Sequence, residues 1–511
     1  MNHTRRDFIK TAGFATALGA LGGKLCAVGA DTPTTAGRSA GDMCFLSARE
    51  LAQLIRSGRA SAREVMAAHL RQISRLNPQL NAIVAKLDDD HCLALADAAD
   101  QRRARGEPLG ALHGLPIAIK DTEPVIGFPF TRGSTIFRND FPKAESVLLE
   151  RLRAAGVVII GKTNMPEFGM GSHTYNQVYG TTLNPYDPTK SAGGSSGGAG
   201  AALAAGLLPI ANGSDLGGSL RNPGNFNNIV GFRPTVGLVP TAPVAMPFGN
   251  LTVKGPLARS VADVAFFLSV MAGPDARDPA SYPAEGAGFN QPLDRDWKGT
   301  RVAWCPDLGG GLPLHPAVRS GLGEQRTVFE RLGCIVEDAH PDLAGADEAF
   351  LTLRAWRSWS NYGALLADHR SEMKPEAVGE IEAGAAVTAS DLTKAMTTQA
   401  RVMEQMRTFQ IKYEFVLCAV NQVPPFDAKL NWPKEIAGTR MESYVAWMKS
   451  AYWITATACP AISVPAGFTP EGLPVGIQLV GRYRADFELL QFALAFEQAT
   501  NVGRRRPPIA G

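Results

Sequence analysis

Serines set among glycines dominate the middle of this 511-residue chain. Ser191-Ala192-Gly193-Gly194-Ser195-Ser196-Gly197-Gly198-Ala199-Gly200 leads into an Ala-rich stretch. Asn212-Gly213-Ser214-Asp215-Leu216-Gly217-Gly218-Ser219-Leu220-Arg221 comes next, and Gly231-Phe232-Arg233-Pro234-Thr235 closes the segment. Residues 193–231 hold eleven glycines in 39 positions, without the polar monotony of a linker. Glycine beside serine lets the backbone approach a small molecule and turn several N–H groups toward one point. Such converging amides stabilise an oxyanion, by about 2.7–4 kcal/mol for each well-placed donor. Upstream, Gly114-Leu115-Pro116-Ile117-Ala118-Ile119-Lys120-Asp121 ends an apolar run on a lysine. Partial desolvation there disfavours the charged amine and moves its pKa toward the range of a general base. Read alone, Lys120 fits a salt-bridged strand end equally well. Beside two Gly-Gly-Ser elements it supplies what a serine hydroxyl needs, a base to draw off its proton.

Three other patterns match known chemistry in letter only. Gly156-Val157-Val158-Ile159-Ile160-Gly161-Lys162-Thr163 satisfies the phosphate-loop pattern, but its β-branched middle favours a strand over a loop curled around phosphate. Gly194-Ser195-Ser196-Gly197-Gly198 satisfies the nucleophile-elbow pattern of α/β-hydrolases, yet the turn-forming Asp187-Pro188-Thr189-Lys190-Ser191 precedes it instead of a strand. His315, His340 and His369 stand in contexts that do not mark a triad. Ser371-Glu372-Met373-Lys374 matches a penicillin-recognition motif without its companion elements, and reads as a solvated helix face.

These residues need strands and helices to hold them. Ser47-Ala48-Arg49-Glu50 and Ser61-Ala62-Arg63-Glu64 are capping boxes opening a helical pair before Asn77-Pro78. Strand-like runs at 115–119 and 157–160 flank a helix at 144–155. A helix is expected over 201–207, another over 261–271, and strands at 301–304 and 334–336. Residues 345–450 read as mostly helical and rich in Trp and Tyr. Strands at 461–464 and 475–480 and a helix from Asp486 complete the chain. Alternating strands and helices argue an α/β architecture. No repeat, low-complexity tract or clear linker divides it. At 45% apolar and 19% charged residues the composition is that of a soluble globular protein. No clustered basic face suits nucleic acid, and no run of eighteen uncharged apolar residues reads as a membrane span.

With these motifs assembled, the chain resembles the amidase signature family of serine amidohydrolases over most of its length. The carrying segments are 115–121, 161–168, Asn184-Pro185-Tyr186, 193–221, 231–235, 255–261, 459–467 and 472–478. Asn421-Gln422-Val423-Pro424-Pro425-Phe426 and the Trp-rich helices suggest the branch of broad amidases and nylon-oligomer hydrolases. The resemblance implies a mixed, twisted central β-sheet flanked by helices (α/β/α), with a catalytic core at about 114–261 and a substrate funnel at about 345–450. It implies a Ser–cis-Ser–Lys triad in which Ser219 is the nucleophile, Ser195 the bridging serine and Lys120 the base. The amides of Leu216, Gly217, Gly218 and Ser219 would form the oxyanion hole, with Asp215 and Arg221 bracing the loop and Ser196 supporting it. Ser214 and Leu220 depart from the commoner Thr and Ile. The expected activity is hydrolysis of a carboxamide C–N bond through an acyl-enzyme, without metal or organic cofactor. Met170, Tyr175, Trp359 and Asn421 are candidate pocket residues. The alternatives are an α/β-hydrolase esterase and the glutaminase-type subunit of an amidotransferase.

The first thirty residues read as an address rather than as part of the fold. Thr4-Arg5-Arg6-Asp7-Phe8-Ile9-Lys10, the modestly apolar 11–25 and the small residues Val28-Gly29-Ala30 resemble a twin-arginine export signal. Residues 31–511 are then the mature enzyme, periplasmic or secreted. Beyond Cys26, six scattered cysteines without CxxC spacing read as buried small hydrophobes, with one disulfide left open. The expected partners are a small-molecule amide substrate and, transiently, the export machinery, with a homodimer left open. Nucleic acid and stable membrane insertion are excluded. The chain's net charge of +3 belongs to residues 1–30, and residues 31–511 carry 47 basic and 47 acidic side chains. That neutrality speaks against polyanionic partners and favours uncharged amides.

Overall fold

A computed structural model describes residues 40–244, 246 and 251–511. The expected export signal lies outside the described residues. Two sheets form the frame. The smaller has β1 (Ile83–Val84), β2 (Pro116–Lys120) and β3 (Val158–Thr163), in the order β1-β3-β2, with β2 and β3 parallel. The larger contains β4 (Ile210–Asp215), β5 (Val230–Arg233), β6 (Val253–Ala258), β7 (Arg301–Trp304), β8 (Ile335–Asp338), β9 (Phe415–Ala419), β10 (Ala461–Phe468) and β11 (Pro474–Val480). Its order is β8-β7-β9-β11-β10-β5-β6-β4; β8, β7 and β9 run parallel and every later pairing is antiparallel. The Asn212 side chain on β4 accepts the Lys120 N–H at 3.1 Å and joins the edges of the two sheets.

Side-chain alternation along the strands shows that both faces are covered. Cys418 and Gln478 are cross-strand partners on one face, where Gln478 accepts from Arg221 of the Arg221–Phe226 helix. Phe415 points to the other face and stacks on Phe492 of the Asp486–Thr500 helix, ring centres 4.2 Å apart. Helices therefore flank the mixed sheet on two sides, the α/β/α arrangement expected. The described residues belong to one compact unit. The six cysteines described are buried and none is paired in a disulfide.

Most short-range expectations agree with the structure. Ser47 accepts the Glu50 N–H at 3.0 Å, and Ser61 with Glu64 forms a complete capping box. The phosphate-loop look-alike is strand from Val158, as its β-branched residues demand. Several elements differ from expectation. The second helix runs on to Leu80 with Pro78 inside its last turn, so tertiary packing offsets the one i→i−4 hydrogen bond that the proline cannot donate. The 345–450 region is mostly helical as far as Lys412; Phe415–Ala419 is then a central strand whose five residues are all buried, and helix resumes only at Ala446. A strand covered on both faces carries no alternation to betray it.

The helix expected over 201–207 instead spans Gly197–Ala204, so Gly197, Gly198 and Gly200 are helical. Their lack of a side chain is what the packing needs. A Cβ on Gly198 would lie 2.4 Å from the Asn164 nitrogen and 2.6 Å from the Ala82 oxygen, both backbone atoms that cannot step aside. Gly198→Ala is expected to lower unfolding free energy by about 1–3 kcal/mol, overpacking exceeding the gain in helix propensity of about 1 kcal/mol. A urea titration followed by circular dichroism reads this directly; an unchanged or raised midpoint would contradict it.

Candidate active site

Lys120 ends a strand whose five residues are all buried, and its own side chain is 0% exposed. Nζ lies 2.8 Å from Ser195 Oγ, 2.9 Å from Ser196 Oγ and 3.0 Å from Ser214 Oγ, within hydrogen-bond distance of all three. Burial, and after it the nearby charge of Lys254, pulls the Lys120 pKa from 10.5 down to about 7, against the opposing pull of Asp215 and Glu123. At neutral pH a large fraction of such an amine is uncharged and able to take a proton.

Ser195 and Ser196 sit on a loop that closes on the turn carrying Ser219, and Ser214 sits on β4. The Gly194–Ser195 peptide is cis. Ser172 Oγ donates to the Gly194 carbonyl and accepts from Asn222 Nδ2 at 2.7 Å. Ser196 N–H donates to the Ser219 carbonyl at 3.2 Å, tying the first serine loop to the second. Gly213 must be glycine at the crossing, since a Cβ there would lie 2.7 Å from Ser196 Oγ. Ser219 Oγ makes no hydrogen bond among the described residues and faces the same cleft as Ser195.

The turn before Ser219 is held by a buried carboxylate. Asp215 receives Arg221 through both oxygens, Nη2 to Oδ1 at 2.9 Å and Nε to Oδ2 at 3.0 Å, and Arg233 Nη1 donates to its carbonyl at 2.6 Å. The Gly218 and Leu220 N–H groups also donate to the carboxylate, at 2.9 and 3.1 Å. Burial would raise the Asp215 pKa; the Arg221 charge, then Arg233, override it and hold the carboxyl well below the usual range. Gly218 therefore departs from the expected oxyanion set, because its N–H is spent on Asp215. Leu216, Gly217 and Ser219 line the cleft.

That cleft encloses about 400 Å³ and opens over Ser195, Ser214 and Ser219. Met170 lines it, as expected. Tyr175, Trp359 and Asn421 do not. Tyr175 packs beside His173 and Lys374. Asn421 is buried elsewhere, its amide without a hydrogen-bond partner among the described residues. Trp359 is on the right helix but the wrong face. On the Ala346–Tyr362 helix the cleft face is Arg354, Arg357, Ser358 and Asn361, at the i, i+3, i+4, i+7 spacing of one stripe, and Trp359 falls outside it. Lys374 is likewise no solvated residue. It is buried, donates through Nζ to the Met170 carbonyl, and donates its N–H to Glu167 Oε2 at 2.8 Å.

Sequence reasoning missed Ser214 as a Lys120 partner and the polar network behind the lysine. There Lys162 pairs with Asp121 at 3.0 Å and donates to the Glu123 carbonyl at 2.6 Å, and Lys254 pairs with Glu123. The visible signal was the run Lys120-Asp121-Thr122-Glu123 opposite Gly161-Lys162-Thr163, charges of both signs beside apolar strands. Among the described residues no cluster of three or more His, Cys, Asp or Glu side chains is placed to hold a metal ion. No helix among them is long and apolar enough to cross a membrane.

The family model described as Amidase matches residues 64–490. An acylamidase of Rhodococcus erythropolis is 34% identical over 473 residues, covering 91% of this chain and 97% of that protein. A glutamyl-tRNA(Gln) amidotransferase subunit of Synechococcus sp. is 34% identical over 480 residues, covering 90% and 97%. The crystal structure of a bacterial aryl acylamidase superposes with a TM-score of 0.86 at 28% identity, covering 91% of this chain and 99% of that one. This chain therefore belongs to the amidase signature family of amide hydrolases.

Proposed function

We propose that Ser219 attacks the carbonyl of a carboxamide and forms an acyl-enzyme, with Ser195 and Lys120 as proton relay and base. The observation that carries this reading is Lys120 Nζ at 2.8 Å from Ser195 Oγ, with a pKa lowered to about 7. Neutral Lys120 takes the Ser195 proton while Ser195 takes that of Ser219, so the attacking oxygen gains its lone pair as the C–O bond forms. The same chain run backwards delivers a proton to the departing amine nitrogen as the C–N bond breaks. Water then repeats the cycle at the acyl carbonyl, releasing the carboxylic acid and free Ser219. The amides of Leu216, Gly217 and Ser219 face the developing oxyanion. Ser196 and Ser214 hold Lys120 Nζ in place, and Asp215 with Arg221 holds the loop.

Fluorophosphonate labelling with peptide mapping tests the nucleophile. The label is expected on Ser219 and lost in Ser219→Ala; a label on Ser196 or elsewhere that survives the substitution would sink the assignment. The base has its own signature. Below about pH 7 Lys120 takes up a proton and the relay stops, so kcat/KM is expected to fall about tenfold per unit on the acid side and to level off above. Lys120→Met is expected to cost on the order of 10³-fold or more in kcat while the fold persists. A pH profile flat from 5 to 9 would remove Lys120 from this role.

A second reading, the glutaminase-type subunit of an amidotransferase, is favoured by the similarity to the tRNA amidotransferase relative. Glutamine hydrolysis exceeding that of simple anilides would select it. We also propose that the chain works outside the bacterial cytoplasm, on the strength of Arg5-Arg6 and the apolar, small-residue stretch after them. Replacing both arginines by lysine is expected to leave the enzyme in the cytosolic fraction, and unaltered export of that variant would refute the twin-arginine route.

A further inference from the structure

The cleft is not electrostatically neutral, whatever the balance of the whole chain. Among the described residues, Arg132, Lys254, Arg354 and Arg357 line it against the single carboxylate of Glu380. Three of the four cations are matched. Arg132 Nη2 lies 3.2 Å from Asp140, Lys254 pairs with Glu123, and Arg354 Nε donates to Glu380 Oε2 at 2.8 Å. Glu380 is fully engaged, taking Ser358 Oγ on its other oxygen and the Tyr444 hydroxyl beside Arg354. Arg357 makes no hydrogen bond or ion pair among the described residues, although it is half-buried. Desolvation works against its charge, and the Glu380 carboxylate, already engaged by Arg354, supports it only from beyond ion-pair distance. A guanidinium drawn out of bulk water with no hydrogen-bonded anion is costly, and the cost is recovered when a ligand brings one.

The placement suits a bound substrate. Arg354 Nη1 lies 3.8 Å from where a Cβ on Gly217 would stand, so this helix runs beside the loop that leads to Ser219. Arg357 lies about one helical turn, roughly 5 Å, farther along the same stripe, and Asn361 sits on the next turn. A guanidinium fork matches a carboxylate bidentately, and the Asn361 amide adds a neutral donor.

We infer that the substrate is an amide that also bears a carboxylate, taken by Arg357 and Asn361 while the scissile carbonyl lies at Ser219. This rests on the amide-hydrolysis reading above and replaces the expectation of an uncharged substrate. The carboxylate belongs either to the acyl part or to the leaving amine, and two matched pairs separate them. Succinyl p-nitroanilide against butyryl p-nitroanilide places the anion on the acyl side. N-Acetyl-p-aminobenzoate against acetanilide places it on the amine side. In one of the pairs kcat/KM is expected to favour the anionic member by about tenfold or more, mostly through KM, and less so at high salt. Arg357→Gln should bring the anionic-to-neutral ratio near one, and Arg357→Lys should restore part of it. The ratio is decisive, because a merely structural role would lower both members and leave it intact. No anionic preference in either pair, or a preference that survives Arg357→Gln, overturns the inference while hydrolysis itself upholds the amidase reading. Failure to cleave all four compounds, with Ser219 unlabelled by fluorophosphonate, would overturn both.

Discussion

A lysine fully withdrawn from water and held by hydroxyls instead of a carboxylate is the constraint on which the rest of this molecule turns. Lys162, one strand away and equally buried, shows the ordinary solution: it pairs with Asp121 at 3.0 Å. Lys120 has Ser195, Ser196 and Ser214 around Nζ and no ion-pair partner among the described residues. Without an adjacent anion, desolvation dominates and the amine is poised near neutrality. Three hydroxyls can approach one nitrogen only if three stretches of backbone crowd together. That is the office of Gly213, which leaves room for Ser196 Oγ, and of Gly197 and Gly198, whose missing side chains admit Thr174 and the Asn164 backbone.

Crowded glycine loops have little packing of their own to hold them, so their rigidity comes from elsewhere. Asp215 collects two arginines and two backbone amides, and Arg221 passes the connection on to Gln478 on a central strand and to the Ala451 carbonyl and Thr455 hydroxyl on the neighbouring helix. A buried ion pair of this kind contributes little net stability against apolar groups of equal volume. What it does here is orient: each oxygen of Asp215 is assigned to particular donors, so the turn before Ser219 has one arrangement. The same assignment removes the Gly218 amide from the donors facing the cleft. Motif reasoning by position could not see that a carboxylate three residues back had claimed it.

The legibility of the sequence depends on the range of the interactions. Capping boxes at Ser61 and the strand character of Val158–Ile160 are short-range facts, and they were readable. Lys120 and the glycine-serine segments were readable because glycine beside serine has few uses outside close backbone approach, while the choice of Ser195 and Ser219 among those serines came from the family resemblance. Phe415–Ala419 was lost inside a helical stretch because a strand buried on both faces has no period-two pattern. Ser214 was noticed only as a departure from a usual threonine, since nothing local says that its hydroxyl reaches Lys120. Trp359 was chosen for its aromatic character, but on a helix the face decides. Ser358 and Asn361 occupy the stripe that reaches the cleft, while Trp359 is 40% exposed and packs against Gly363 and Gly384.

The two sides of the cleft are thus built on different physical terms. Its floor is backbone: strand ends and glycine turns in which almost every atom has a fixed neighbour, so that a change in one residue disturbs all. Its wall is one stripe of a helix, where neighbouring positions turn by about 100° and a single side chain can change what the cleft recognises without moving the floor. Charge has to be read on the same local scale. The balance of 47 acidic and 47 basic residues after position 30 sums over exposed pairs such as Arg407–Glu404 and Lys394–Glu348, which water and salt screen. In a cleft walled by protein, one unmatched arginine acts at lower dielectric and outweighs them for any molecule already inside. Net neutrality therefore bears on what the protein meets in solution, and Arg357 on what it keeps.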